Sequence, residues 1–383
     1  DGGAEGGAIV ATSRFEDVRF GNAIATLDDI DGDGIGELFV CVEGSGMNSL
    51  FDFGRGYLLF SQTLATTVAG NSREDLATAD AGQVVVADGV RRNQQFCDSA
   101  APAGDIDGDG LGDVVVGASP SVERPDLNRE AFIVFGASLN AERQADGLIN
   151  SDQIETEGLG IRIALEAPEG RGRVGVASIG DLNGDGVDEL LLSDQFADDR
   201  RGAAYVVFGS DTLGAQTAGV IGLADIGTAV AGVSMRANDT AVRVGENIVA
   251  VGDIDGDGLG EVLINARFSG DTREMRLFLV AGSALTASGS IELTSIGVEP
   301  ALADSQTPRG VEIVGIADSF PSQDATIAAA GDIDGDGLAD IAIGTNSTDD
   351  GEVTIISGRL LRDAMGPGER RQKIDIGQLL DTP

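Results

Sequence analysis

A nine-residue acidic stretch occurs five times in this 383-residue chain, over residues 29–37, 105–113, 181–189, 253–261 and 332–340. Oxygen-bearing side chains stand at positions 1, 3, 5 and 9 of each copy, with glycines at positions 4 and 6. Alternating acidic side chains around a tight turn offer a hard cation several oxygens, and glycine supplies the positive φ that wraps the turn. The copies start 72 to 79 residues apart, which indicates a repeated structural unit.

Calcium is the cation that this pattern of oxygens favours. Ca²⁺ accepts about six to eight oxygen ligands in flexible geometry, whereas Mg²⁺ gives up its waters reluctantly. We expect the side chains at positions 1, 3, 5 and 9 to bind one Ca²⁺ per loop together with the carbonyl of position 7. The predicted ligands are Asp29, Asp31, Asp33, Ile35 and Glu37; Asp105, Asp107, Asp109, Leu111 and Asp113; Asp181, Asn183, Asp185, Val187 and Glu189; Asp253, Asp255, Asp257, Leu259 and Glu261; and Asp332, Asp334, Asp336, Leu338 and Asp340.

Two other structures can contain acidic residues at alternate positions around a turn. An EF-hand needs a bidentate Glu at position 12 between two helices, and position 12 here is an apolar residue of a strand-like run in every copy. The second is an Asp-Gly hairpin that holds no metal. Packing several carboxylates together without a cation is electrostatically costly, which favours calcium.

The ions are expected to be mainly structural, the alternative being an ion that bridges to a ligand. The loop with Asn183 lacks one charge and is expected to be the weakest.

Composition excludes several classes of function. The formal net charge is −39 and Lys373 is the sole lysine, so a nucleic-acid partner is not expected. Histidine is absent, which excludes a Ser-His-Asp or Cys-His mechanism and a His-ligated zinc site. No apolar run approaches the length of a membrane span.

The residues around the loops predict an all-β fold. Each repeat reads as about four strands separated by Gly, Asp and Asn turns, and no stretch shows a persuasive helical period. The last repeat ends before its fourth strand, whereas residues 7–12 form an extra strand-like run before the first loop. The sequence therefore predicts one domain over residues 1–383, a β-propeller of five four-stranded blades closed by the N-terminal strand. The alternatives are a segment of a longer ring, or donation of that strand to a neighbouring molecule.

The chain resembles the FG-GAP repeats of integrin α-subunit propellers and of their bacterial relatives. Phe20-Gly21 precedes the first loop by the usual gap, and Gly117-Ala118-Ser119-Pro120 echoes the Gly-Ala-Pro corner of that family. Residues 132–136 and 204–209 resemble the third strand of the family's repeat. The resemblance covers essentially the whole chain and implies a calcium-binding propeller, although integrin propellers have seven blades.

The two cysteines lie near each other in this arrangement. Cys41 ends the second strand of one repeat and Cys97 begins the first strand of the next, so both fall on the same rim of neighbouring blades. A disulfide between them is therefore feasible, and two free buried thiols are the alternative.

The resemblance and the lack of catalytic side chains favour a binding role. We expect a secreted or cell-surface module that binds a protein or glycan ligand in adhesion, with residues 119–130 and 194–202 as contact loops. One alternative is a structural subunit of a surface filament joined by strand donation. The other is a polysaccharide-acting enzyme that uses a pair of carboxylates.

Overall fold

The structure is a computed structural model. It describes residues 10–12, 19–43, 53–62, 73–75, 84–90, 94–119, 129–143, 145, 147–165, 174–213, 219–237, 241–268, 275–296, 310–314, 326–345, 352–365 and 373–377. Strands dominate these residues, so the fold is mostly β, although short helices that the sequence did not predict, such as Gly136–Arg143 and Gly358–Met365, accompany the strands.

The strands and helices of the described residues are numbered in chain order. The strands of the first half are β1 (Val10–Thr12), β2 (Arg19–Thr26), β3 (Leu38–Glu43), β4 (Arg55–Leu59), β5 (Arg73–Asp75), β6 (Val84–Asp88), β7 (Phe96–Gly104), β8 (Asp113–Ala118), β9 (Glu130–Val134), β10 (Leu148–Asn150), β11 (Gly160–Ala164) and β12 (Gly175–Gly180). The later strands are β13 (Glu189–Asp194), β14 (Ala203–Phe208), β15 (Val220–Gly222), β16 (Gly232–Arg236), β17 (Ala241–Val242), β18 (Ile248–Gly252), β19 (Glu261–Phe268), β20 (Met275–Val280), β21 (Gly289–Glu292), β22 (Gly310–Val314), β23 (Thr326–Gly331), β24 (Asp340–Thr345), β25 (Glu352–Ile356) and β26 (Lys373–Asp375). The α-helices are α1 (Gly136–Arg143), α2 (Ser151–Thr156), α3 (Ala197–Arg200) and α4 (Gly358–Met365), and 3₁₀ turns occupy Leu223–Asp225, Gly282–Ala284 and Leu293–Ser295.

The chain divides into two compact units. The first comprises Asp1–Val176 and Gly209–Gly222, and the second comprises Ala177–Phe208 and Leu223–Pro383. The first unit holds sheet 1 (order β2-β3-β4-β6-β10) and sheet 2 (order β7-β8-β9-β11-β15). The second unit holds sheet 3 (order β12-β13-β14-β16-β21), sheet 4 (order β17-β19-β20-β22-β26, with β18 also on β19) and sheet 5 (order β23-β24-β25).

A fifth strand at the edge of the sheets corrects the prediction of four strands per blade. In sheets 1 to 4 the antiparallel fourth strand pairs in parallel with a short strand from the following repeat: β6 with β10, β11 with β15, β16 with β21, and β22 with β26. These edge strands are three or four residues long. Such runs are too short to show an alternating pattern, and their main-chain hydrogen bonds do not depend on side-chain identity, so the sequence did not reveal them.

The N-terminal strand β1 pairs in parallel with β5, with Val10 opposite Arg73 and Thr12 opposite Asp75. These two strands form a sheet of their own in the described part of the chain, and sheet 5 contains three strands there. Residues 7–9 of the predicted terminal strand lie outside the described residues.

Consecutive sheets pack face to face within each unit. In the second unit, Val262 and Ile264 of β19 belong to a cluster with sheet 3, whereas Leu263 between them belongs to a cluster with sheet 5. Successive side chains of a strand point to opposite faces, so a sheet covered on both sides reads as a continuous apolar run. In the first unit, the core between sheets 1 and 2 includes Phe39, Leu58, Val116 and Phe132.

Candidate metal centres

Each acidic loop joins the first and second strands of its sheet. The loop of residues 29–37 connects β2 to β3, and the other four connect β7 to β8, β12 to β13, β18 to β19 and β23 to β24. In four of the sheets the first strand is followed at once by position 1, whereas two residues separate β2 from Asp29, and position 9 lies next to or within the second strand. Because the sheets share this order, the five loops occupy equivalent places.

Two glycines with left-handed backbone wrap each loop around its first carboxylate. In the fourth loop, Gly256 and Gly258 have φ of 83° and 90°. Their backbone N–H groups donate to the two carboxylate oxygens of Asp253, at 2.7 and 3.0 Å. A Cβ at either glycine would contact nothing within 4 Å, so the backbone conformation, and not lack of space, favours glycine here.

The carboxylates at positions 3 and 5 accept hydrogen bonds from the backbone N–H two residues further on. In the fourth loop Asp255 accepts from the N–H of Asp257 at 3.1 Å, and Asp257 accepts from the N–H of Leu259 at 2.9 Å. These short-range turns point the side chains of positions 1, 3 and 5 to one side of the loop. The proposed ligation by the carbonyl of position 7 stays a prediction.

Carboxylate oxygens converge in four of the loops. In each of these groups, one oxygen from every member lies within 4.8 Å of the others. Oxygens at this spacing suit a hard divalent cation, so the donor set fits calcium, and bound calcium would supply positive charge that offsets their repulsion. The groups are Asp29, Asp31, Asp33 and Glu37; Asp105, Asp107 and Asp113; Asp253, Asp255 and Asp257; and Asp332, Asp334 and Asp336.

The third loop is held partly by an amide. Nδ2 of Asn183 donates to Oε1 of Glu189 at 2.9 Å, and the backbone N–H of Leu182 donates to Oε2 at 2.6 Å. Asn183 therefore supplies a hydrogen-bond donor where the equivalent aspartates supply a negative charge. This contact agrees with the expectation that the third loop attracts a cation least strongly.

The carboxylate at position 9 is an anchor that sequence reasoning did not reveal. Asp113 is fully buried and accepts two backbone hydrogen bonds, from Ile106 at 2.9 Å and from Gly136 at 2.8 Å. Gly136 begins the segment after the third strand, so this carboxylate joins the loop to a distant part of the same repeat. Equivalent pairs of hydrogen bonds reach Glu37, Glu261 and Asp340.

Burial changes the titration of these anchors. Burial raises the pKa of Asp113 to about 8, and the charges of Asp107 and Asp109 add to the effect. Burial likewise raises the pKa of Glu189 and of Glu261 to about 7. It also raises the pKa of Asp107 to about 6, with repulsion from Asp109 as the next cause. The pKa of Asp340, the anchor of the fifth loop, is lowered instead, chiefly by the hydrogen bond from Gly358. Calcium binding to the second, third and fourth loops is therefore expected to displace protons near neutral pH.

Cys41 and Cys97 are joined by a disulfide in the structure, with their Cα atoms 5.3 Å apart. Cys41 lies on β3 of sheet 1 and Cys97 on β7 of sheet 2, and both are fully buried. The bond therefore links two neighbouring sheets of the first unit.

Of the two segments predicted as contact loops, the first falls mostly outside the described residues, which omit 120–128. The second, 194–202, contains α3, which is an irregular turn because three of its four residues have left-handed backbone: Asp198, Asp199 and Arg200, with φ of 51°, 55° and 70°. Left-handed backbone in non-glycine residues is unfavourable and often occurs at functional sites.

Comparison with known proteins identifies the repeat. Residues 325–356 match the model of the FG-GAP repeat family, and they contain the fifth acidic loop together with β23, β24 and β25. The chain contains an FG-GAP repeat. The family resemblance drawn from the sequence is therefore confirmed, while its bacterial type stays a prediction.

The FG-GAP chain is also similar to two integrin α proteins. It is 26% identical over 259 residues to integrin alpha pat-2 of Caenorhabditis briggsae, an alignment that covers 64% of this chain. It is 25% identical over 253 residues, 63% of this chain, to integrin alpha pat-2 of Caenorhabditis elegans. The alignments span 17% of the length of these relatives. Among the helices of the described residues, none has the length and apolar character needed to cross a membrane.

Proposed function

We propose that this chain is a calcium-stabilised β-propeller that binds a protein or glycan ligand in an adhesion role. The observation that carries the proposal is the equivalent placement of five acidic loops in five sheets of an FG-GAP chain similar to integrin α. Four loops bring three or four carboxylates together, which fits one Ca²⁺ each, and the third is the weak site. Calcium is mainly structural in this proposal because it stabilises the turn between the first two strands.

The pairing pattern of the sheets supports the proposed ring closure by the N-terminal strand. In sheets 1 to 4, the fourth strand pairs in parallel with the edge strand of the next repeat. The strand β1 pairs in parallel with β5, which is the edge strand of the first repeat. By this rule β1 has the place of a fourth strand, which supports the proposal that the N-terminal strand completes the last blade.

Deletion of residues 1–12 tests the closure and separates it from strand donation between molecules. Closure within one chain predicts a monomer by light scattering and a lower melting temperature after deletion. Donation to a neighbour predicts an assembly that dissociates after deletion and would support a structural subunit of a surface filament. A monomer whose melting temperature is unchanged by the deletion contradicts both arrangements.

An extracellular or cell-surface location is part of the proposal. The buried disulfide between Cys41 and Cys97 supports it, because such bonds persist in oxidising compartments. The strongly acidic surface suits a calcium-rich exterior. The segment 194–202 is the proposed ligand contact among the described residues, since its left-handed backbone presents two acidic and two basic side chains in succession.

Calorimetric titration of chelator-treated protein with Ca²⁺, together with melting curves in EDTA and in millimolar Ca²⁺, tests the calcium role. We expect several sites and a substantial rise in melting temperature with calcium. No heat of binding and identical melting curves would falsify the calcium role. The ligand role is tested by screening immobilised matrix proteins and glycans with the wild-type protein and with a variant whose residues 197–201 are replaced by glycine and serine.

A further inference from the structure

Asp31 of the first loop is covered by an arginine from the following repeat. Nη1 of Arg143, the last residue of α1, pairs with Oδ2 of Asp31, although 112 residues separate them. The side chain of Asp31 is 4% exposed and that of Arg143 is 17% exposed. A half-buried positive charge of the protein itself therefore lies next to one of the predicted calcium ligands of the first loop.

The guanidinium group is held in place by its surroundings. Its central carbon lies 4.1 Å from the ring centroid of Phe60, and Nη2 lies 3.5 Å from Oε1 of Gln62. The adjacent Ser61 donates from its hydroxyl group to Oδ2 of Asp33 at 2.7 Å. Asp31 and Asp33 thus already have side-chain donors from outside the loop, one of them cationic, and the aromatic contact adds to the positioning of the charge.

An equivalent helix in the last repeat provides a comparison. Both α1 and α4 are eight residues long and begin at a glycine that donates its N–H to the position 9 carboxylate of its own repeat. Where α1 ends in Arg143, α4 ends in Met365, which is buried. Arg362 of α4 pairs with its neighbour Asp363 at 3.0 Å. A helix of this kind therefore forms without a charge at its last residue, and the charge of Arg143 is particular to the second repeat.

We propose that Arg143 is a built-in counter-cation of the first loop, which neutralises Asp31 in the ion-free protein and opposes calcium there. This inference rests on the proposed calcium role. The first loop then stays folded at low calcium and binds Ca²⁺ less tightly than the fourth loop, whose three clustered carboxylates are Asp253, Asp255 and Asp257. A unit positive charge about 6 Å from a divalent ion weakens binding by roughly tenfold at the dielectric of bulk water, and by more at the lower effective dielectric of a protein surface.

The test is a calcium titration of wild-type protein and of Arg143→Met, followed by NMR at two glycine amides. The amide of Gly34 reports on the first loop and that of Gly258 on the fourth, since each donates to the position 1 carboxylate of its loop. In the wild type, we expect the Gly34 midpoint at higher calcium than the Gly258 midpoint. In Arg143→Met we expect the Gly34 midpoint to fall by at least about tenfold with Gly258 unchanged, and the melting temperature in EDTA to fall.

Arg362→Met removes the same charge from the equivalent helix and is the matched control, with no expected change at either amide. Arg143→Gln replaces Arg143→Met if the latter does not fold. A Gly34 midpoint that is unchanged, or that moves to higher calcium because Arg143 instead positions Asp31 for the ion, overturns the inference. If wild-type protein shows no calcium response at either glycine, the proposed calcium role fails, and the inference fails with it.

Discussion

The carboxylate of Asp113 accepts a hydrogen bond from the backbone N–H of Gly136 at 2.8 Å, across 23 residues of sequence. The other carboxylate oxygen accepts from Ile106 at 2.9 Å, so one side chain satisfies two buried backbone donors. A loop residue chosen from sequence as a metal ligand therefore also joins the loop to the end of the third strand. This double role separates position 9 from the other acidic positions.

The first prediction is that Asp113→Ala destabilises the protein even without calcium. The substitution leaves two buried N–H groups without an acceptor, and we expect the free energy of unfolding to fall by about 3 kcal/mol. The matched control is Asp109→Ala, because Asp109 accepts a local, exposed hydrogen bond from Leu111. We expect a change within about 0.5 kcal/mol for this control in EDTA. Urea unfolding in EDTA measures both, and equal losses would contradict the anchoring role.

The second prediction concerns the pH dependence of the ion-free protein. The pKa of Asp113 is raised to about 8, and that of Glu189 and Glu261 to about 7, so the folded state binds more protons than the unfolded state between these values and about 4. The contribution of these three groups to the free energy of unfolding in EDTA should therefore be largest near pH 4 and fall as pH rises toward 8. Urea unfolding in EDTA across this range measures the slope.

Calcium binding should accordingly release protons at pH 7 and fewer at pH 9, where these groups are already ionised. The number of protons released is measured by calorimetry in buffers that differ in ionisation enthalpy. The variant Asp113→Asn removes the group with the highest pKa and should reduce the release at pH 7. Release that is the same at both pH values would show that the buried carboxylates do not hold these protons.

The third prediction concerns the disulfide between sheets 1 and 2. The cysteines are 56 residues apart, and by the chain-entropy estimate a loop of this size contributes about 4 kcal/mol to stability. The double variant Cys41→Ala and Cys97→Ala should therefore melt well below the wild type, and reductant should lower the melting temperature of the wild type alone. If reductant lowers the melting temperatures of the wild type and of the double variant equally, its effect does not come from this disulfide.

The fourth prediction tests the backbone of the segment 197–202. Asp199 has φ of 55° and ψ of 41°, within the left-handed region. A β-branched residue is disfavoured there, so Asp199→Val should lower stability by about 1–2 kcal/mol, whereas Asp199→Gly should preserve or slightly raise it. Thermal melts of the two variants measure this difference in stability. Equal melting temperatures would indicate that this residue is not held in the left-handed conformation.

The sequence by itself determined the acidic loops and the β class. Every hydrogen bond that wraps the loop around Asp253 lies within nine consecutive residues, and the glycines with positive φ are part of the same pattern. Interactions this local are encoded in a short stretch, so they can be recognised without knowledge of the fold. The strands on either side were visible as apolar runs because both faces of most sheets are covered.

Only the tertiary structure decided which distant groups meet these loops. The fifth strands pair through main-chain hydrogen bonds that carry no side-chain signal, and Gly136 reaches Asp113 through its backbone alone. Arg143 meets Asp31 because the helix of one repeat lies beside the loop of the previous one, and Cys41 meets Cys97 because sheet 1 packs on sheet 2. Such contacts depend on how repeats stack, and stacking is a property of the folded chain that no short segment contains.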